Sequence, residues 1–294
     1  MTAADAPNQM QTLITDTILA FCRSAQNSLQ TVSGEPAWAE PLVGFSRGDD
    51  AVFESFKRCV GPYHWTPHEI FALAFPEAPA APHELTVISW VLPQTEATKA
   101  DNRQERVYPA ERWARARIFG EMVNTQLRHK VVASLAASGY PAVAPALAPQ
   151  WSTKDSEAYF IASTWSERHV AYASGLGTFG LCDGLITPKG KAVRVGSVVV
   201  RGDVPATPRP YAHHQAYCLF YAEGTCGNCI DRCPVKALSK AGHDKAKCQR
   251  HLDRTATYVK EHFGFERYGC GLCQTSVPCA SRVPPSTRVT QTSP

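Results

Sequence analysis

The 294-residue chain lacks any apolar run of membrane-spanning length and any basic segment at its start. A transmembrane helix needs about 20 consecutive apolar residues. The short apolar stretch within the first thirty residues is interrupted by Asp16 and follows no basic segment, unlike an export leader. We therefore expect a cytoplasmic protein with neither a membrane span nor a secretory leader.

A concentrated charge of one sign is also missing. The formal net charge is +4, and basic and acidic residues are interspersed. Proteins that bind nucleic acids concentrate Lys and Arg on one face or stripe, so the sequence does not support a nucleic-acid partner. No repeat of solenoid length is present. With 44% hydrophobic and 19% charged residues, the chain has the balance of a globular protein with one large domain or two smaller ones.

Helices and strands alternate irregularly through the first two thirds of the chain. Apolar periodicity and β-branched runs predict helices within 1–30, 109–138 and 155–175, and strands within 83–93 and 191–205. The polar stretch 94–108 is predicted to be a surface loop that borders the site. The fold class predicted from this mixture is α+β.

A proline-rich segment, VPATPRPY at 204–211, separates this mixed region from a cysteine-rich end. Such segments are typical of domain boundaries. We therefore predict a cofactor- and substrate-binding domain over residues 1–205 and a metal-binding domain over residues 206–294.

Eight of the eleven cysteines fall between residues 218 and 279. In a reducing compartment, such a concentration indicates metal ligands rather than disulfides. The other three, Cys22, Cys59 and Cys182, are scattered, and we expect them to be small buried apolar residues.

The segment CGNCIDRCP, at 226–234, has the spacing of iron–sulfur ligands. Bacterial clusters use C-x2-C-x2-C-x3-C-P, in which the last cysteine binds the other cluster. Cys226, Cys229 and Cys233 followed by proline reproduce the last three members. Position 223 holds Glu where the first member would stand, and Cys218 is the nearest upstream candidate.

Downstream, Cys248 is followed by Cys270-x2-Cys273-x5-Cys279, which completes eight thiols for two clusters of four. If the ligands cross over as in ferredoxins, the first group is Cys218, Cys226, Cys229 and Cys279, and the second group is Cys233, Cys248, Cys270 and Cys273. A pair of four-cysteine zinc sites is the alternative. The Cys-Pro ending and the total of eight favour iron.

The segment 166–200, SERHVAYASGLGTFGLCDGLITPKGKAVRVGSVVV, followed by the eight-cysteine tail, resembles the family that contains epoxyqueuosine reductase and the reductive dehalogenases. The resemblance rests on a Glu-Arg pair, a glycine-rich turn and a Leu-Ile-Thr-Pro entry to a strand. The matching residues are Glu167, Arg168, Gly175, Leu176, Gly177, Gly180, Leu185, Ile186, Thr187 and Pro188. Arg112 and Arg115 in RWAR are similar to a further family motif.

The resemblance implies a nitroreductase-like α/β domain that binds cobalamin, followed by a ferredoxin-like domain with two [4Fe-4S] clusters. Electrons from a ferredoxin- or flavodoxin-type donor would pass through both clusters to the corrinoid, which would reduce a small molecule. The implied cofactor-binding residues are Arg112, Arg115, Glu167, Arg168, Gly175, Leu176, Gly177, Gly180 and Thr187. Glycines in that turn would let the backbone approach a large flat ligand.

Two departures argue against the queuosine reaction itself. Epoxyqueuosine reductases carry an Asp shortly before the Glu-Arg pair, and this chain has none there. Their Asp-Tyr-His motif is replaced by Ile118, Phe119 and Gly120. Candidate proton donors are instead Tyr108, His169 and Tyr172, since a His is easily tuned and a Tyr can donate from an apolar pocket.

Other functions remain open at the level of sequence. The chain could be an electron-transfer protein or reductive activator that serves a separate corrinoid enzyme. A flavin could replace the corrinoid, although no basic cluster suited to its phosphate is visible. His213 and His214, just before Cys218, could bond cluster sulfur, and we expect them to be exposed.

Overall fold

A computed structural model describes residues 6–156 and 159–286. The helices are α1 Ala6–Arg23, α2 Val52–Cys59, α3 Pro67–Ala74, α4 Glu96–Gln104, α5 Glu111–Ala137, α6 Glu167–Ala173, α7 Leu219–Glu223, α8 Asn228–Asp231 and α9 Lys245–Phe263. The strands are β1 Leu42–Arg47, β2 Leu85–Pro93, β3 Ala142–Val143, β4 Thr153–Ser156, β5 Phe160–Ser163, β6 Thr178–Phe179, β7 Leu185–Ile186, β8 Val193–Arg201, β9 Leu238–Ser239 and β10 Gly242–His243.

The chain divides into two units that are not continuous in sequence. Unit 1 comprises Met1–Thr95, Arg115–Leu176 and Arg194–Arg209, and unit 2 comprises Glu96–Ala114, Gly177–Val193 and Pro210–Pro294. This division differs from the linear boundary predicted at residue 205. Two segments from the middle of the chain join the cysteine-rich end, so unit 2 does not consist of residues 206–294 alone.

Unit 1 is built on a four-stranded sheet in the order β1-β2-β8-β3, in which β1 and β2 are antiparallel, as are β3 and β8. Every residue of β2 is buried, as its continuous apolar run predicts. Side chains of a strand alternate between the faces of a sheet. Accordingly, Val198 packs in one apolar cluster with α1 and α5, whereas Val199 packs in another with α2, α3 and α6.

Unit 2 has little regular structure beyond its helices. It contains two short antiparallel hairpins, β6–β7 and β9–β10. Its apolar cluster includes cysteine side chains beside Leu181, Ile186 and Leu238. The ferredoxin-like architecture predicted for this end stays a prediction.

The predicted loop at 94–108 is wrong, because most of it is helix α4. Its polar residues Thr98, Lys99 and Asn102 are buried. Asn102 donates to the carbonyl of Cys270 over 3.2 Å and accepts from the backbone N–H of Ala110 over 3.0 Å. Internal hydrogen bonds thus compensate the burial of polar groups that the sequence indicated as solvent-exposed.

The predicted helix at 155–175 is also wrong over its first half. Thr153–Ser156 and Phe160–Ser163 form an antiparallel hairpin, and only Glu167–Ala173 is helical. The hairpin residues lack the regular apolar spacing of a helix. They include β-branched and aromatic side chains, which favour strands. The helices predicted near the start and over 109–138, and the strands within 83–93 and 191–205, are confirmed as α1, α5, β2 and β8. No helix within the described ranges is long and apolar enough to cross a membrane.

Candidate functional site

The four thiols of the first group line one cavity in unit 2. Their positions differ in local structure: Cys218 precedes α7, Cys229 lies in α8, and Cys226 and Cys279 lie in loops. The cavity wall includes Cys218, Cys226, Cys229, Cys279, Leu181, Ile186, Lys191 and Phe220. The four thiols thus come from three separate stretches of the sequence and line one mostly apolar cavity.

A tight turn holds the chain segment that carries Cys279. Thr187 donates from its hydroxyl to the carbonyl of Gly190 over 2.8 Å. Gly190 has a φ of +84°, and a Cβ there would lie 2.2 Å from the carbonyl oxygen of Ala280. The backbone N–H of Lys191 donates to the carbonyl of Cys279 over 2.8 Å. Glycine is required at 190 because the tail passes directly against this turn.

The second group surrounds the loop between Cys270 and Cys273. The pKa of Cys270 is raised to about 12, mainly by burial and also by Cys248 and Cys233. The pKa of Cys273 is raised mainly by its hydrogen bond with Cys182, and Cys270 also raises it. Cys270 therefore interacts electrostatically with each of the other three thiols of the second group.

Arg232 connects the segments that carry this second group. It lies immediately before Cys233, at the end of α8. Its guanidinium donates at 3.0–3.2 Å to the backbone carbonyls of Asn102, Glu105, Leu272 and Thr275. An Arg with several donors in a rigid fork can fix several carbonyls at once. The loop that carries Cys273 is thereby held beside Cys233.

The donor set of the first cavity matches a [4Fe-4S] cluster in the type and number of its ligands. A [4Fe-4S] cluster takes four cysteine thiolates, and four thiols face this cavity. Burial raises the pKa of Cys229 to about 12, so binding of a metal to this thiol releases a proton. Among the described residues, no three His, Cys, Asp or Glu side chains are arranged around a single ion.

Sequence reasoning missed two residues of this region, Cys182 and Lys191. Cys182 is buried, as predicted, yet it is not a simple apolar residue. Its Sγ accepts a hydrogen bond from Nζ of Lys191 over 3.3 Å and also interacts with the Cys273 thiol. The position of Cys182 within the glycine-rich segment is the feature of the sequence that could have indicated this role. Of the other scattered cysteines, Cys22 is buried as predicted, whereas the prediction for Cys59 is wrong because that residue is exposed.

The glycines predicted to border a cofactor have packing roles within the chain. Gly175, in unit 1, has a φ of +76°, and a Cβ there would lie 2.5 Å from the carbonyl oxygen of Pro208. In unit 2, a Cβ on Gly177 would lie 2.3 Å from the carbonyl oxygen of Ile186, and one on Gly180 would approach the side chain of Ile186 to 3.2 Å. Leu176 is buried.

Glu167, in the Glu-Arg pair, belongs to a buried ionic network of unit 1. It accepts from Arg128 over 3.1 Å and from the Ser197 hydroxyl over 2.5 Å. Arg128 also donates to Glu121 over 3.1 Å, and Arg194 pairs with Glu121. Burial is the largest cause of the raised pKa of Glu167. Arg168, by contrast, is exposed.

The two arginines of RWAR have separate partners. In unit 2, Arg112 forms an ion pair with Asp101. In unit 1, Arg115 donates to the carbonyl of Gln30 over 3.1 Å and lies 5.7 Å from the ring of Phe119. Together with Thr187, which closes its turn, the predicted cofactor residues are engaged within the chain.

Of the three candidate proton donors, Tyr108 belongs to unit 2, and His169 and Tyr172 belong to unit 1. In unit 2, Tyr108 stacks on Tyr258 with ring centroids 4.1 Å apart. In unit 1, Nδ1 of His169 lies 2.8 Å from Oγ of Ser166, and Tyr172 packs against an apolar cluster. His213 and His214 are exposed, as expected.

No family model matches the chain. The chain is 34% identical over 119 residues to an epoxyqueuosine reductase of Bacillus anthracis, covering 38% of this chain and 29% of that protein. An epoxyqueuosine reductase of Staphylococcus aureus is 33% identical over the same length, with the same coverage. The structure of the catabolic reductive dehalogenase NpRdhA has a TM-score of 0.51 at 14% identity, and the match covers 95% of this chain and 37% of that one.

These matches differ in how much of each protein they cover and in what they show. The alignments span less than a third of each epoxyqueuosine reductase. The likeness to the dehalogenase concerns the fold alone, and it extends over nearly the whole chain.

Proposed function

Since the chain is a divergent relative of the family that contains epoxyqueuosine reductase and the reductive dehalogenases, we propose that it is an iron–sulfur oxidoreductase. It passes electrons through two [4Fe-4S] clusters to a corrinoid that reduces a small molecule. The donor is a protein of the ferredoxin or flavodoxin type.

The cavity shared by Cys218, Cys226, Cys229 and Cys279 is the observation that carries this proposal. The crossover of ligands seen in ferredoxins separated these cysteines from the other four, and the same four residues line one cavity. Four thiols are the donor set that a cubane cluster requires. The second group, near Arg232, supplies four thiols for the second cluster.

The chain's own residues hold the thiols and exclude water. Apolar side chains such as Leu181 and Ile186 line the first cavity, and a buried, apolar surrounding is one of the factors that set cluster potentials. Arg232 fixes the second group through four carbonyls. When bound, the clusters supply single electrons and the corrinoid supplies low-potential cobalt chemistry. The residues that would border the corrinoid are those of the family motifs, within 112–115 and 167–187.

The substrate proposed is a small molecule. The absence of an Asp before Glu167 and the replacement of Asp-Tyr-His by residues 118–120 both separate this chain from the queuosine reaction. The proton donor is proposed among Tyr108, His169 and Tyr172, of which His169 is oriented by its hydrogen bond to Ser166.

Cofactor uptake tests the proposal. Protein is purified anaerobically and analysed for iron and acid-labile sulfide, then incubated with cobalamin, passed through a desalting column and analysed for cobalt. We expect about eight irons per chain and stoichiometric cobalt. Eight irons without cobalt would contradict the corrinoid reductase and leave an electron-transfer protein or a flavin enzyme. Absence of iron would contradict the proposal as a whole.

A further inference from the structure

A positive charge is buried among the thiols of unit 2. Lys191 is 3% exposed. Its side chain forms part of the wall of the first cavity, and its Nζ lies 3.3 Å from Sγ of Cys182. A buried ammonium is costly unless a negative group compensates it. The surroundings of Lys191 therefore indicate what kind of group the cavity is built to hold.

Thiols lie on the same side as the ammonium: Cys182 accepts its hydrogen bond, and Cys218, Cys226, Cys229 and Cys279 line the same cavity as Lys191. The described part of the chain shows no carboxylate paired with Nζ. Neutral thiols compensate a positive charge poorly, whereas thiolates bound to a cluster carry negative charge.

We propose that Lys191 is a positioning residue that supplies a fixed counter-charge to the cluster held by Cys218, Cys226, Cys229 and Cys279. This inference rests on the proposed function, because it requires that a cluster is bound. Cys182 has a supporting part in it. Its Sγ accepts a hydrogen bond from the ammonium and so holds the charge at the cavity wall.

The expected consequence is electrostatic. A four-thiolate [4Fe-4S] cluster is negatively charged, and reduction adds one more negative charge. A fixed positive charge nearby stabilises the reduced state more than the oxidised state, in a medium that screens charge weakly. Lys191 thus raises the reduction potential of the first cluster. Because its side chain lines the first cavity, this cluster responds more than the second one.

Redox titration of the intact protein, followed by electron paramagnetic resonance, measures this effect directly. The variants are Lys191→Met, which removes the charge at similar length, and Lys191→Arg, which retains it. Lys240→Met is the control, since Lys240 is an exposed lysine of the same unit. Iron is counted in each sample. We expect Lys191→Met to shift the midpoint of one cluster to a more negative potential, while the arginine and control variants stay close to the parent protein.

Loss of one cluster's iron from Lys191→Met, with iron retained in Lys191→Arg, would also support a requirement for the charge. Unchanged midpoints in a fully loaded Lys191→Met protein would overturn the inference. So would a Lys191→Arg protein that loses iron as completely as Lys191→Met, because shape rather than charge would then be what the site requires. A parent protein without iron would instead contradict the proposed function, so the two failures are distinguishable.

Discussion

Nη2 of Arg128 donates to Oε1 of Glu167 over 3.1 Å and joins the middle of helix α5 to the first residue of helix α6. The side chain of Arg128 is only 4% exposed. Glu167 is the glutamate of the Glu-Arg motif, and its carboxylate is directed into the protein. This arrangement gives the motif a structural role in unit 1.

Replacement of Arg128 by Met should destabilise unit 1 strongly. Removing one partner of a buried pair leaves an uncompensated charge and costs about 3 kcal/mol or more. We expect the free energy of unfolding, measured by urea titration with tryptophan fluorescence, to fall by about that amount. The matched control is Arg23→Met, whose pair with Glu40 is exposed on both sides and should contribute less than about 1 kcal/mol. Equal losses in the two variants would contradict the structural role.

The stability of unit 1 should depend on pH through His64. Burial lowers its pKa to about 4 from an ordinary value of 6.5, and its Nε2 accepts a hydrogen bond from the backbone N–H of Ser166 over 3.1 Å. Between pH 6.5 and 4, His64 is protonated in the unfolded chain and neutral in the folded chain. Stability is therefore fully present above pH 6.5 and is lost as the pH falls toward 4.

The expected loss is at most about 3 kcal/mol, and it is measured as the difference in unfolding free energy between pH 7 and pH 5. His64→Gln should flatten this dependence relative to the parent protein in the same cluster state. His129→Gln, at an exposed position, should leave it unchanged. An identical pH dependence in His64→Gln and the parent protein would show that His64 is not responsible.

Cys182 and Cys273 interact through their thiols, but only Cys273 belongs to the cluster spacing. We expect Cys273→Ser to lose the iron of one cluster, about four irons per chain, because Ser is a poor substitute for a soft thiolate. Cys182→Ser should keep the full complement, as should the exposed control Cys59→Ser. Iron loss in Cys182→Ser with retention in Cys273→Ser would reverse the assignment of these two cysteines.

Gly271 should tolerate no side chain, unlike a second glycine with similar backbone geometry. Gly271 and Gly224 have φ values of +64° and +73°. A Cβ at 271 would lie 1.9 Å from ring atoms of Trp113, whereas a Cβ at 224 meets nothing within 4 Å. Gly224→Ala should cost about 1 kcal/mol through backbone conformation alone.

Gly271→Ala should cost about 1–3 kcal/mol more from overpacking, and it should reduce iron content because Cys270 and Cys273 flank the site. Urea unfolding and iron analysis of both variants measure these effects. Equal stability and equal iron content in the two alanine variants would contradict the close packing of Trp113 on this turn.

Local patterns in the sequence predicted the elements that are decided locally. The continuous apolar run of β2 and the periodicity of α5 needed no knowledge of the rest of the chain. The cysteine spacing together with the ferredoxin crossover gave two groups of four as a prediction, and the four residues of the first group line one cavity. The exposure of His213 and His214 was also predicted correctly.

The features that could not be predicted from the sequence depend on contacts between residues far apart in the chain. Helix α4 is polar, and its burial depends on Asn102 reaching Cys270, which is 168 residues away. The roles of Cys182 and Lys191 depend in the same way on Cys273 and Cys279. The glycine-rich turn has a packing role that the sequence did not show, because a Cβ on Gly177 would lie 2.3 Å from the carbonyl oxygen of Ile186. A glycine leaves no sign in the sequence of which group approaches it.

The central claim is that the two cysteine groups of unit 2 hold two [4Fe-4S] clusters. Metal and sulfide analysis of anaerobically purified protein, combined with spin quantification after reduction by dithionite, tests it most directly. The account predicts about eight irons and eight sulfides per chain, with two reducible centres. Two zinc ions per chain, with no acid-labile sulfide and no paramagnetic signal, would contradict it.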